Sequence, residues 1–198
     1  MQKPFVTPER AEKLHRALER KQPTLTIVLE NVHDPHNVSA VLRSCDAVGV
    51  VEVYLVYNGQ QKFPDLGERS SASAKKWIDI HQFSEVEECF AMLRKNGYKI
   101  FTTHMAHDAV SLYSLDLTQP VALVFGNEHS GVSDTALALA DGNFLIPQVG
   151  MIQSLNISVA CAVSLFEASR QRRAAGMYDT PQFSLEEFEA KFLNWQMR

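Results

Sequence analysis

The 198-residue sequence predicts an α/β fold: one mostly parallel sheet with helices on both faces, and a further helix at each end. Three observations lead there. Short apolar runs alternate with helical patterns along most of the chain. One run, VALVFG (residues 121–126), is apolar without a break, as expected of a strand covered on both faces in a parallel sheet. The length suits one domain with short extensions, and no repeat, linker or low-complexity segment divides it. We expect a helical extension over residues 1–22, the α/β domain over 23–176 and a second helical extension over 177–198.

The elements follow in order. Thr7-Pro8 starts a helix, with threonine as N-cap and proline at the first helical position. Ala11, Leu14 and Leu18 mark one face of that helix to about Lys21. LTIVLE (25–30) reads as a buried strand, followed by a polar loop and a helix from near Asn37 to Gly49. VEVYLVY (51–57) is the next strand. Residues 58–70, with Gly59, Pro64 and Gly67, read as a loop, and 70–76 as a short helix before the strand WIDIHQF (77–83). Ser84 and Glu87 have the spacing of a capping box for a helix ending at Gly97. YKIFTTH (98–104) and VALVFG are strands, Ser133 caps a short helix, and NFLIP (143–147) is the last strand. A long helix covers about 154–173. In the tail, Ser184 and Glu187 form a second capping box, and Phe183 can staple onto Phe188. Phe188, Phe192 and Trp195 fall at i, i+4 and i+7, a stripe that packs on the domain or on a second subunit, with RNA stacking by Trp195 as the alternative.

Composition narrows the class. The hydrophobic share of 45% and charged share of 21% are ordinary for a globular protein. No apolar run reaches membrane-spanning length, and MQKPFVTPER lacks the apolar core of a signal peptide, so no membrane partner and a cytoplasmic location are expected. Cys45, Cys89 and Cys161 are odd in number and far apart, which excludes a disulfide framework or zinc site and leaves core packing. The net charge of −4 does not favour nucleic acid, but it is uneven. Arg10, Lys13, Arg16, Arg20 and Lys21 crowd the first helix, and Arg170, Arg172 and Arg173 form a second cluster. Such patches bind phosphate or are simply solvated. There is no GxG, no GxxxxGK[ST] and no GxSxG, which removes the usual dinucleotide loop, the P-loop and the nucleophile elbow.

Three polar segments sit beside strands. The first is NVHDPHN (31–37), followed by a helix carrying Arg43 among the small residues Ser39, Ala40 and Ala47. Asn37 reads as an N-cap or a ligand contact, and Arg43 as a salt-bridge partner or a ligand contact. The second is FGNEHSG (125–131), with Glu128 an acceptor at the tip of a glycine-containing turn or a solvated side chain. The third runs IPQVGMIQSLNIS (146–158), where Ser154 reads as an N-cap and Asn156 can reach a ligand from the first turn.

Together these segments resemble the motifs of the SpoU (TrmH-type) family of RNA 2′-O-methyltransferases, within the SPOUT superfamily. Asn37 to Arg43 resembles its Asn-x5-Arg motif; Gly126, Glu128 and Gly131 its G-x-E-x-x-G motif; and Ser154, Leu155, Asn156 and Ser158 the end of its third motif in expanded form. The resemblance runs from about Arg20 to Tyr178, and KQPTLTIVLENVHDPHN with the late GMY (176–178) is most similar to the branch that modifies guanosine 18 in the tRNA D-loop. It implies a deep C-terminal trefoil knot, S-adenosylmethionine as cofactor, a tRNA substrate and a homodimer whose two subunits complete the active site. Carried onto this chain, Thr103, Gly126, Ile146 and Leu155 contact the cofactor, and Asn37, Arg43, Glu128, Ser154 and Asn156 line the methyl-transfer site. Arg10, Lys13, Arg16, Arg20 and Lys21 are the candidate RNA contacts. His33, His36 and His129 remain open as proton acceptors, and no metal is expected. The same chemistry on another RNA site, or RNA binding without catalysis, are the alternatives.

Overall fold

A computed structural model describes residues 6–59, 63, 74–105, 109–152 and 154–198. Strands β1 (Leu25–Glu30), β2 (Glu52–Val56), β3 (Asp79–Phe83), β4 (Lys99–Thr103), β5 (Val110–Ser111), β6 (Val121–Phe125) and β7 (Gly142–Leu145) form one sheet among the described residues, in the order β3-β2-β1-β6-β4-β7-β5. Every pairing in it is parallel. The helices are α1 (Pro8–Glu19), α2 (Pro35–Val48), α3 (Val86–Lys95), α4 (Asp134–Leu139), α5 (Ile157–Ala174) and α6 (Leu185–Gln196). None is long and apolar enough to cross a membrane.

The two central strands, β1 and β6, are buried along their whole length. Their side chains alternate between two cores, as the twofold strand period requires. Leu25, Ile27 and Leu29 face α2 and α5, while Val28, Ala122 and Val124 face α3 and α4. Each such aliphatic side chain contributes about 1.5–3 kcal/mol by leaving water. The cysteines are free and buried in these cores. A third, smaller core joins α1 to α6 through Leu14, Leu18, Phe188 and Trp195, with Trp77 against them. The tail stripe therefore packs on its own chain. The Ser184–Glu187 capping box is formed in full.

Several boundaries differ from expectation. Helix α2 opens at Pro35 rather than Asn37, because Asp34 is the N-cap and its carboxylate accepts from the His36 N–H at 2.8 Å. Helix α5 opens at Ile157 rather than Ser154, because Asn156 caps it, accepting from the Ser158 N–H at 2.9 Å. The Ser84–Glu87 box does not form: Glu85 is the N-cap and bonds through no side chain. Burial of Val86 against the sheet sets that entry one residue later than the box requires. The short strand β5 was not anticipated. Much of the expected loop 58–70, including Pro64 and Gly67, lies outside the described residues, as do residues 70–73 of the expected helix, leaving a 3₁₀ turn over Ala74–Lys76.

The register positions the functional end of the molecule. Leu29 pairs with Phe125, so the chain leaves β1 and β6 side by side. Ligands of open parallel sheets bind outside these carboxyl ends, near the point where strand order reverses. At the other end of α2, Gly49 takes a φ of 88° and closes the helix, and a Cβ there would fall 2.7 Å from the Arg20 carbonyl.

Candidate active site

Local chemistry holds each loop. The Asp34 cap sets Asn37 in the first turn of α2. After β6 the chain makes a tight turn, with Asn127 N–H donating to Gly131 O at 2.9 Å and Gly131 N–H returning to Asn127 O at 2.8 Å. A Cβ on Gly126 would overlap the backbone of Gly131 and Val132, so glycine is obligatory for this closure. Glu128 is thereby held, exposed, at the tip. Asn156 stands at the cap of α5, facing the first two loops.

The three segments then join through side chains. Asn156 Nδ2 donates to Asn37 Oδ1 at 3.2 Å, and Asn37 Nδ2 donates to Glu128 Oε1 at 2.8 Å. Residues 119 and 91 positions apart in sequence share this relay. It runs along the mouth of a cavity of about 980 Å³ at the ends of β4, β6 and β7. Thr103, Gly126, Ile146 and Leu155 all border that cavity, as do Glu128, Ser154 and Asn156. Ile146 and Leu155 give it half-buried apolar walls. Among the described residues no lysine or arginine borders it, and Glu128 contributes a carboxylate. A roomy, largely apolar hollow with a carboxylate at its mouth suits a ligand that joins an uncharged ring system to a positive centre.

Arg43 is not brought to this cavity. It is exposed on α2, and its guanidinium has no hydrogen-bond or ion-pair partner among the described residues. The salt-bridge reading of Arg43 therefore does not hold. Of its expected small neighbours, Ser39 is turned into the protein, and Ala40 and Ala47 stay at the surface. Among the basic residues, Arg10, Lys13, Arg16 and Arg20 are exposed. Lys21 is a correction: it is 3% exposed, with Nζ 2.7 Å from Asp46 Oδ1. Burial lowers its pKa against the opposing pull of Asp46. An ammonium spent on an internal carboxylate cannot also meet a phosphate. The cluster at 170–173 dissolves likewise. Arg172 is buried, Arg170 is paired to Glu167 at 2.8 Å, and Arg173 is exposed, 4.5 Å over the Tyr178 ring.

Sequence reasoning missed the brace behind the relay. Asn31 takes a left-handed φ of 53°, and its carbonyl accepts from Asn127 Nδ2 at 2.8 Å. Asn127 Oδ1 accepts from the His129 N–H at 2.8 Å. Asparagine tolerates the left-handed region and folds back on its own turn, and that propensity was the available signal. Tyr57 supports the first loop by donating to Val32 O, and burial, followed by the charge of Glu128, pushes its phenol pKa up, so it remains a neutral donor.

The SpoU rRNA Methylase family matches residues 24–166. The chain belongs to that family. It is 46% identical over 189 residues to a tRNA (guanosine(18)-2′-O)-methyltransferase of Thermus thermophilus, covering 96% of each chain. Its structure matches the TrmH/SpoU tRNA modifying enzyme of A. aeolicus with a TM-score of 0.88 at 36% identity, covering 95% of both chains. It also resembles an AdoMet-bound rRNA methyltransferase from Sinorhizobium meliloti, with a TM-score of 0.68 at 29% identity over 81% of this chain and 60% of that one. The names of these relatives cover both tRNA and rRNA.

Proposed function

We propose that this protein transfers a methyl group from S-adenosylmethionine to the ribose 2′-hydroxyl of guanosine 18 in tRNA. The observation that carries the reading is the relay from Asn156 through Asn37 to Glu128, which gathers the three motif segments at the mouth of the cavity. The near full-length likeness to a tRNA guanosine-18 enzyme supports the choice of substrate. We read 23–176 as the methyltransferase domain and the terminal helices as extensions, with a trefoil knot in the C-terminal part and a cytoplasmic site of action.

The residues present fit the cofactor. Ile146 and Leu155 would sandwich its adenine, the backbone beside Gly126 and Ile146 would read its edge, and with no lysine or arginine among the described lining residues the sulfonium would meet no like charge from them. When bound it supplies a methyl group on a positively charged sulfur, which departs as a neutral thioether.

The protein's work is to orient the nucleophile. Glu128 Oε1 is committed to Asn37, leaving Oε2 without a partner among the described residues and available to the ribose. The Ser154 hydroxyl borders the same space. Holding the hydroxyl in line with the methyl carbon supplies a large share of the rate, since ordered reactants no longer lose that freedom in the transition state. Arg43 acts by charge rather than as a base, because a guanidinium does not give up its proton in a protein. It would hold a phosphate and stabilise the developing alkoxide, while the hydroxyl proton passes to water or a phosphate oxygen. Because Arg43 does not border the cavity of its own chain, we infer that it serves the cavity of a second copy. Support for such pairing comes from exposed Val149, Met151 and Ile152 beside the cavity, and from Val159 and Phe166 two turns apart on α5.

The test is transfer of labelled methyl from S-adenosylmethionine to bulk tRNA, followed by nucleoside analysis and mapping. We expect 2′-O-methylguanosine at position 18. Label confined to ribosomal RNA or to the tRNA wobble nucleotide would move the activity to that substrate, and no transfer would leave an RNA-binding protein.

A further inference from the structure

Glu30, the last residue of β1, carries a carboxyl group into the interior and is 1% exposed. It stands two residues after Val28, so its side chain leaves the same face of the strand, toward the core beneath α3 and α4. Phe125 and Phe144, which wall the cavity, belong to the core on the other face, and Glu30 does not border the cavity. Oε2 of Glu30 accepts from the Ser133 N–H at 2.9 Å. Oε1 is buried without a hydrogen-bond partner among the described residues. A half-bonded carboxyl in an apolar core is unfavourable, and buried polar groups that break the rule of full bonding mark places where function overrides packing. The one bond that Glu30 does make leads toward the site.

We propose that Glu30 is a positioning residue for methyl transfer, holding through Ser133 the turn that carries Glu128; the inference deepens the function proposed above and rests on it. The turn over 127–131 stands on two shoulders, and consecutive residues at the end of β1 hold both. Before Glu128, the Asn31 carbonyl accepts from Asn127 Nδ2 at 2.8 Å. After it, Glu30 accepts from the Ser133 N–H. Only Val132 separates Ser133 from Gly131, and this stretch has no slack. Its backbone is pressed on Gly126, where a Cβ would fall 2.2 Å from the Val132 nitrogen. Ser133 is fixed on its other side as well, because its hydroxyl accepts from the Ala136 N–H at 3.1 Å and caps α4. Displacement at Ser133 therefore passes to Gly131 and on to the tip. There Glu128 Oε1 lies 2.8 Å from Asn37 Nδ2, and neither a bond of that length nor an in-line attack tolerates much movement. Glu30 thus acts from behind the sheet, through backbone, on a carboxylate it does not touch.

The test separates reach from charge in the full-length protein. Glu30→Gln keeps an oxygen at the same reach without an ionisable group. Glu30→Met keeps the bulk and loses the acceptor. Glu30→Asp keeps a carboxyl one methylene short, and it carries the test if the methionine variant does not fold. Rates are expressed per S-adenosylmethionine site counted by calorimetry. We expect kcat for tRNA methylation to fall about tenfold in the methionine and aspartate variants, with KM for tRNA unchanged and the glutamine variant within about twofold of wild type. In single turnovers on a Glu128→Ala background the same loss shrinks below about twofold, because the group being positioned is gone. Amide exchange over residues 126–133 quickens in the methionine and aspartate variants and not in the glutamine one. Unchanged kcat per site in the aspartate variant would overturn the proposal, and so would a rise in KM alone. A full tenfold loss on the Glu128→Ala background would do the same, since Glu30 would then support the scaffold without acting through Glu128. Failure of wild-type protein to methylate any tRNA defeats the functional reading instead, and amide exchange still reports whether Glu30 holds the turn.

Discussion

The two ends of the sheet use the same residue types for opposite ends. At the carboxyl end, polar side chains bond chiefly to one another and leave capacity over: Asn156, Asn37 and Glu128 form a chain, and Arg43 faces solvent without a partner among the described residues. At the amino end one arginine has every donor consumed. Arg172 is fully buried and gives all five of its N–H groups to Leu117 O, Gln22 Oε1, Thr24 Oγ1, Thr24 O and Gln119 O, at 2.9–3.2 Å. It ties α5 to the starts of β1 and β6. Burial lowers its pKa to about 10, so it stays charged at neutral pH. Both arginines lie on helices, and neither has a carboxylate partner. What separates them is whether backbone carbonyls from distant segments converge on the guanidinium.

That contrast is broken most severely at Arg172. Replacing it by alanine removes the donors: Leu117 O and Gln119 O lose this partner, and Thr24 O keeps only the Val121 N–H. We expect a loss of about 4 kcal/mol, since each orphaned buried acceptor costs about 1–3 kcal/mol. Urea unfolding measures it, and a loss below about 1 kcal/mol would mean that water replaces the guanidinium at little cost. Arg43→Ala should do the reverse. Stability should change by less than about 0.5 kcal/mol, as for an exposed side chain without partners, while kcat/KM for tRNA methylation falls about 100-fold. Parallel losses in stability and activity would erase the distinction between the two residues.

The difference between these ends was only partly legible in the sequence. The strands were, because β6 is apolar throughout and β1 carries the apolar run 27–29, and such runs do not lie at a surface. So were the starts of α1 and α6, where Thr7-Pro8 and the Ser184–Glu187 pair are self-contained local signals. Asp34-Pro35 carries the same signal as Thr7-Pro8, while the Asn37 side chain is spent across the site. The Ser84–Glu87 spacing was present but overruled by the burial of Val86. The motifs of the candidate site could be read from the order of their residues. The relay could not, because Asn156 and Asn37 meet only once strand order has brought their loops together. Arg172 and Lys21 looked like surface charge for a related reason: their partners arrive from other segments, and local sequence carries no record of them.

The smallest expected effect sharpens the comparison at the corner where α6 meets the sheet edge. Asp79, at the start of β3, binds Lys191 Nζ at 2.8 Å and Arg198 Nη2 at 2.9 Å. Burial raises its pKa, but the hydrogen bonds and charges of Lys191 and Arg198 outweigh it, so the carboxyl is held below its ordinary value. The sign follows. A carboxyl with a depressed folded pKa stabilises the protein above its unfolded pKa, near about 3.9, and that contribution is lost as pH falls through the lower folded value. The group is a third exposed, so screening limits the contribution to about 1 kcal/mol. Both tryptophans of the chain sit here, Trp77 and Trp195, with ring centroids 5.1 Å apart. Fluorescence therefore reports this corner rather than the cavity. Asp79→Asn should lower stability by about 1 kcal/mol at pH 7 and abolish the part of the acid dependence due to this group. An identical acid transition in wild type and variant would show that α6 is held by Phe188 and Trp195 packing and that the carboxylate adds nothing to that seam.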